Sequence, residues 1–173
     1  VIEKSSDSEK MIAGLKDTNG VYFVPAFTGL GAPYWNAQAR GVICGLTRGA
    51  NSAHIVRAAI ESIAYQTKDV FGLMQNEFGK PIKELRVDGG ATKNNFLMQF
   101  QADILNCKII RPKVSESTAQ GVAHLAGVTI GIWNGKKDLA KLHQVEKVFS
   151  PKMSQSDRSR LYSGWQQAVK KAS

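Results

Sequence analysis

The chain has 173 residues, 43% hydrophobic and 21% charged. That is ordinary globular usage, and it excludes a disordered chain, a collagen-like repeat and a disulfide mini-scaffold. Lys and Arg total 23 against 14 Asp and Glu, a net charge of +9 that favours anionic partners without choosing among them. No apolar run approaches the ~20 residues of a membrane span.

In chain order, residues 7–17 read as a short amphipathic helix with Met11, Ile12 and Leu15 on one face. Asn19-Gly20 is a turn signal, and Val21–Phe27 is strand-like. Thr28–Arg40 is too rich in Gly and Pro for regular structure and reads as an ordered loop whose Tyr34 and Trp35 anchor it to the core or, alternatively, stack on a ligand. Gly41–Leu46 reads as a buried strand. Asn51 then caps the strongest helix, 52–77, in which Ile55, Ala59, Ile63 and Val56, Ile60 repeat at helical spacing until Gly79-Lys80-Pro81 stops it. Ile82–Val87 is a strand, Asp88-Gly89-Gly90 a tight turn, Asn94–Leu105 a helix and Cys107–Arg111 a strand ended by Pro112. Thr118–Gly131 is a small-residue helix, and 132–145 is a basic loop or short helix. Val148-Phe149 is a short strand, and 155–171 is a last helix with Leu161, Trp165 and Val169 on one side. Strands alternating with helices after residue 40 predict an α/β fold whose sheet has parallel neighbours. No repeat or linker divides the chain.

Several features carry bland readings. Cys44 and Cys107 lack CxxC spacing and read as buried reduced thiols suited to a cytoplasmic compartment. His54, His124 and His143 have no zinc-type spacing, so no metal site is expected. The chain opens on Val-Ile-Glu-Lys, with no Met and no secretory signal, as a processed protein or a piece of a longer one would. Arg40 and Arg48 read equally as phosphate partners or as holding loop carbonyls or acidic neighbours. Lys136, Lys137, Lys141, Lys147, Lys152, Arg158, Arg160, Lys170 and Lys171 read as a solvated basic face. The net charge alone suggests a nucleic-acid module, but a Lys/Arg-dense recognition helix, zinc ligands and the aromatic-basic RNP pattern are all missing, so no nucleic-acid partner is expected.

The sharpest local feature is Leu85-Arg86-Val87-Asp88-Gly89-Gly90-Ala91-Thr92-Lys93-Asn94-Asn95. A strand runs into two glycines and a helix follows. Glycines permit positive φ and let a ligand approach the backbone, and a helix start attracts phosphate. Asn94, on the first turn, carries an amide that can donate and accept, which suits an adenine edge. A plain strand–helix connection would use the same residues. The pattern is neither GxGxxG nor Walker A. Ala119, Ala123 and Gly127 form a small face at four-residue spacing, suited to tight packing or a hinge between lobes.

Gly41-Val42-Ile43-Cys44-Gly45-Leu46, then seven residues, then His54-Ile55-Val56-Arg57-Ala58-Ala59-Ile60-Glu61 resembles the second signature of the FGGY carbohydrate kinases. Val24-Pro25-Ala26-Phe27-Thr28-Gly29-Leu30 with Ala32-Pro33-Tyr34-Trp35 resembles the glycerol-phosphorylating branch of that family, as do Asn94-Asn95-Phe96-Leu97-Met98-Gln99 and Tyr162-Ser163-Gly164-Trp165. The resemblance runs from about Asp17 to Lys171 and covers the C-terminal third of such enzymes. It implies a two-lobed actin-like, ribonuclease-H-like fold in which residues 1–173 are the C-terminal region of the nucleotide-binding lobe, with a mixed sheet flanked by helices and incomplete in this chain. It implies ATP/ADP and Mg2+ as cofactors, the metal ligands lying outside the chain, and glycerol as a partner bound by the other lobe. A pentulose or another polyol is the alternative acceptor, and a non-catalytic relative keeping the fold is another reading. It implies a homo-oligomer for the full-length enzyme, and an isolated chain that is inactive and is marginal or self-associating through its open sheet edge. Gly90 and Asn94 match positions that touch the adenine nucleotide, and Gly89 and Ala91 flank them. The family's phosphate loop, base and acceptor-binding pair have no counterpart here, so no catalytic residue is assigned. Asp88 is expected to order its turn, and Glu61 and Asp103 to sit on helix faces.

Overall fold

A computed structural model describes residues 2–114, 117–142 and 144–173, without the side chains of Ser117, Lys136 and Lys141. Lys136, Lys141 and His143, singled out in the sequence, therefore lie outside the described side chains.

The expected helix over 7–17 is shorter. A 3-10 turn at Ser5–Asp7 leads into α1, Ser8–Met11. It stops there because Gly14 takes φ +85°, a left-handed conformation that no continuing helix accepts. Strand β1, Tyr22–Val24, pairs antiparallel with β2, Val42–Cys44, in a separate two-stranded sheet. This corrects the expectation that the second strand is buried among parallel neighbours. The 25–41 loop turns the chain back on itself, so β2 finds its partner in β1, and Ile43 stays 42% exposed. That loop is anchored by Tyr34, which packs on the core, whereas Trp35 is 80% exposed and anchors nothing. Arg40 takes the loop-carbonyl reading, donating to the carbonyls of Ala37 and Ala39.

Helix α2, Ser52–Phe78, begins at a capping box: the Asn51 side chain accepts from the Ala53 and His54 amides, and the His54 ring returns a bond to the Asn51 amide. Twenty-seven residues span about 40 Å. The helix carries the chain to β3, Glu84–Arg86, then α3, Asn95–Leu105, and β4, Lys108–Pro112. β3 and β4 are parallel, as the strand–helix–strand order predicts. After α4, Ser117–Thr129, and α5, Lys136–Leu142, the strand β5, Val145–Phe149, pairs antiparallel with β4. The register slips between Arg111 and Pro112, where proline has no N–H to give the ladder. The result is a mixed sheet ordered β3-β4-β5, flanked by helices and not closed, as expected of an incomplete actin-like lobe.

The last helix, α6, Gln155–Ala172, seals the core. Trp165 is fully buried and stacks on Tyr65 of α2 at 5.3 Å, and Tyr65 meets Phe100 of α3 edge-on. α6 also lies tight against β1: a Cβ at Gly164 would come within 2.1 Å of the Tyr22 hydroxyl, which itself donates to the Leu161 carbonyl. Gly164→Ala should therefore lower stability by about 1–3 kcal/mol, overpacking outweighing any gain in helix propensity. A thermal melt unchanged from wild type would contradict this contact.

Not all of the basic tail is a solvated face. Arg158 donates to the Asp103 and Met153 carbonyls, whereas Arg160 stays exposed and pairs with the likewise exposed Asp157 at 2.9 Å, as a solvated face would. On α4 the close approach at Gly127 is made by Trp133 of the same chain, whose ring would lie 2.2 Å from an added Cβ. Val122, Leu125, Ile130 and Ile132 remain largely exposed.

Candidate nucleotide site

β3 delivers the chain to the double glycine. Gly89 takes φ +90° with ψ 172°, a conformation open to glycine alone. A 3-10 turn, Gly90–Lys93, then intervenes before α3, so the helix does not start at once. Asn94 is the N-cap residue and not part of the first turn: its Oδ1 accepts from the Leu97 amide at 2.9 Å. Its Nδ2 donates to Ser8 Oγ at 3.3 Å, and the Asn95 amide donates to Glu9. One half of the Asn94 amide thus belongs to its own helix. The other half, the donor, faces the N-terminal segment.

Between that segment, the first half of α2 and the turn lies a cavity of about 890 Å3. Gly90, Ala91, Lys93 and Asn94 form one wall, and Ser8 and Glu9 stand opposite. Apolar residues of α2, among them Ile55, Ala59 and Ile63, make the floor. Of the four residues singled out in the sequence, Gly90, Ala91 and Asn94 line this cavity. Gly89 does not; it makes the bend that places them. Added Cβ atoms at Gly89 and Gly90 would meet open space, so a ligand can approach this backbone.

Sequence reasoning missed the supports of the turn. Thr92 is buried and donates to the Gly89 carbonyl at 2.7 Å. Arg111 of β4 donates to the Thr92 carbonyl at 2.8 Å, to Asn95 Oδ1 at 3.3 Å and to Glu146 of β5 at 2.9 Å. Ser8 and Glu9 had no sequence signal, since their partners lie 86 residues away.

Glu61 and Asp103 sit on helices, as expected. Glu61, on α2, is buried and paired with Arg57 at 2.8 Å; burial raises its carboxyl above the usual range, an effect Arg57 opposes. Asp103, on α3, accepts from the Lys152 and Met153 amides. Asp88 is exposed at the entry to the bend. Among the described residues no three His, Cys, Asp or Glu side chains converge.

Residues 2–130 match the FGGY family of carbohydrate kinases, C-terminal domain. The chain belongs to this family. It is 56% identical to a glycerol kinase of Saccharolobus islandicus (strain L.S.2.15 / Lassen #1) and 54% identical to one of Petrotoga mobilis, in each case over 99% of this chain and 34% of the relative. Its fold is similar to a crystal structure of Plasmodium falciparum glycerol kinase with ADP, at TM-score 0.90 and 38% identity, covering 99% of this chain and 34% of that one. A ligand-bound xylulose kinase from Lactobacillus acidophilus is more distant, at TM-score 0.76 and 25% identity over 97% of this chain and 33% of that one. The chain thus spans about a third of the length of the FGGY-type relatives it matches. No helix among the described residues is long and apolar enough to cross a membrane.

Proposed function

We propose that residues 1–173 are the C-terminal region of the nucleotide-holding lobe of a kinase that transfers the γ-phosphoryl of Mg-ATP to glycerol, giving sn-glycerol 3-phosphate. The observation that carries this reading is the open glycine backbone of Gly89-Gly90 beside a cavity whose size suits a nucleotide. The ADP named with the Plasmodium enzyme supports the ligand, and 54–56% identity to glycerol kinases against 25% to a xylulose kinase supports glycerol over a pentulose.

In this reading the chain's own residues bind and orient. The Gly90 and Ala91 backbone forms a flat wall against the base and ribose. Asn94 Nδ2 exchanges Ser8 for an acceptor on the purine. The apolar floor of α2 excludes water. Phosphoryl transfer depends on holding the phosphates and neutralising their charge. Mg2+ would supply that neutralisation, and its ligands, the base and the glycerol contacts belong to parts of a longer enzyme. The chain alone is inactive, and the full enzyme is a cytoplasmic homo-oligomer; the two free thiols, Cys44 and Cys107, support that compartment.

In a full-length enzyme carrying this chain, Asn94→Ser keeps an N-cap oxygen and removes the amide donor. It should raise the apparent ATP KM by about three- to tenfold, the worth of one hydrogen bond, with the glycerol KM unchanged. A change in the glycerol KM alone would overturn the assignment.

The exposed apolar side of α4 and the open β3 edge are covered, in this reading, by the remaining two thirds of the longer enzyme. Sedimentation of the 173-residue chain should then reveal self-association that grows with concentration. A well-folded monomer at high concentration would count against it.

A further inference from the structure

The turn that presents Gly90 and Asn94 is closed from within by a few local bonds, the Thr92 amide and hydroxyl on the Gly89 carbonyl and the Asn94 amide on the Ala91 carbonyl. Two adjacent glycines make it the most permissive stretch of backbone near the cavity. Those local bonds do not tie the turn to the sheet; that restraint comes from behind, where Arg111 of β4 lies. The side chain is 7% exposed as a residue, touches no part of the cavity, and lies over the Phe149 ring at 5.4 Å. Nη1 grips the Thr92 carbonyl. Nη2 grips Asn95 Oδ1 and the Glu146 carboxylate. Thr92 passes the restraint to the Gly89 carbonyl, and Asn95 passes it to the start of α3.

As a packing element this is a poor choice. A buried guanidinium loses its hydration, and Arg111 Nε finds no hydrogen-bond partner among the described residues. A methionine would fill the same space over Phe149 without that loss. What a methionine cannot do is hold two points of one turn at a fixed spacing. A lysine cannot either, because its single ammonium lacks the planar fork.

Resting on the nucleotide reading above, we propose that Arg111 is a positioning residue for nucleotide binding: anchored by Glu146, it holds the Gly89–Asn95 turn in the shape that presents Gly90 and Asn94 to the cavity.

The test titrates the protein with a fluorescent ADP analogue in wild type, Arg111→Met, Arg111→Lys and Glu146→Gln. Amide hydrogen exchange is read in parallel without nucleotide. Wild type should bind. Arg111→Met should weaken binding by about tenfold or more, the loss of charge-assisted bonds, and Arg111→Lys should fail to restore it. Exchange should accelerate at residues 89–95 while amides of α2 and α6 keep their protection. Glu146 is half exposed, so Glu146→Gln leaves the fold intact and should give a smaller loss of the same kind. Wild-type-like binding in Arg111→Met, rescue by lysine, or weakening that tracks exchange throughout the core would each overturn the positioning role. In a variant too unstable to titrate, the Glu146→Gln result decides: unchanged binding there overturns the proposal. Absence of binding in wild type would instead overturn the nucleotide reading on which it rests.

Discussion

Asp69→Ala is expected to destabilise the protein by about 2–4 kcal/mol, and Asp69→Asn by less than about 1. Asp69 is buried on α2 and ties that helix to α6 twice: the Tyr162 hydroxyl donates to Oδ1 at 2.6 Å and the Trp165 indole to Oδ2 at 2.8 Å. Indole Nε1 is only a donor, and Trp165 is fully buried. Alanine leaves that donor without a partner and adds a small void. Asparagine keeps an oxygen for Trp165 and turns its Nδ2 to the Tyr162 oxygen. The pH dependence follows from burial, which raises the Asp69 carboxyl above the usual range although both donors oppose it. A raised folded-state value means the folded protein holds this proton more tightly. The stability from this group is complete below the ordinary carboxylate range and declines as pH rises through the raised value. Asp69→Asn should flatten that decline. Urea unfolding followed by tryptophan fluorescence across acidic to neutral pH measures both effects. Equal stability of the alanine and asparagine variants would contradict this account of the α2–α6 contact.

Arg57→Met is expected to lower stability by about 3–5 kcal/mol, the penalty for stranding a buried partner. Arg57 pairs with Glu61, lies over the Phe96 ring at 4.9 Å, and donates from Nη1 to the Leu15 carbonyl. It thus joins the N-terminal segment, α2 and α3. Without Arg57 the Glu61 carboxylate keeps, among the described residues, the weak 3.4 Å bond from Tyr65. Its pKa, already raised by burial, rises further. The penalty should therefore shrink as pH falls and Glu61 takes up a proton. The double variant Arg57→Met/Glu61→Leu should recover most of the loss. A double variant as unstable as the single one would show that the pair itself is not the source.

The elements legible in the sequence were those written locally. α2 is announced by Asn51, by helical spacing and by Gly79, and it forms over Ser52–Phe78. The strand–helix–strand order from residue 82 to 112 predicts the parallel β3–β4 pair. What failed depended on distant partners. The antiparallel β1–β2 pair is decided by how the loop over 25–41 folds back, which no spacing shows. Trp35 and Tyr34 are neighbours of similar chemistry, yet one is exposed and the other packs on the core. At the site, Gly90, Ala91 and Asn94 were visible because a double glycine after a strand is a local signal. Arg111 was not, because its meaning lies in Thr92, Asn95 and Glu146, each at least 16 residues away.

The most direct measurement is an ADP titration followed by amide chemical shifts. Saturable shifts at the Gly90 and Ala91 amides and the Asn94 side-chain NH2, with little change along α4, are the expected result. Saturation by ADP with those signals unmoved and the shifts centred elsewhere would contradict the assignment of the cavity wall.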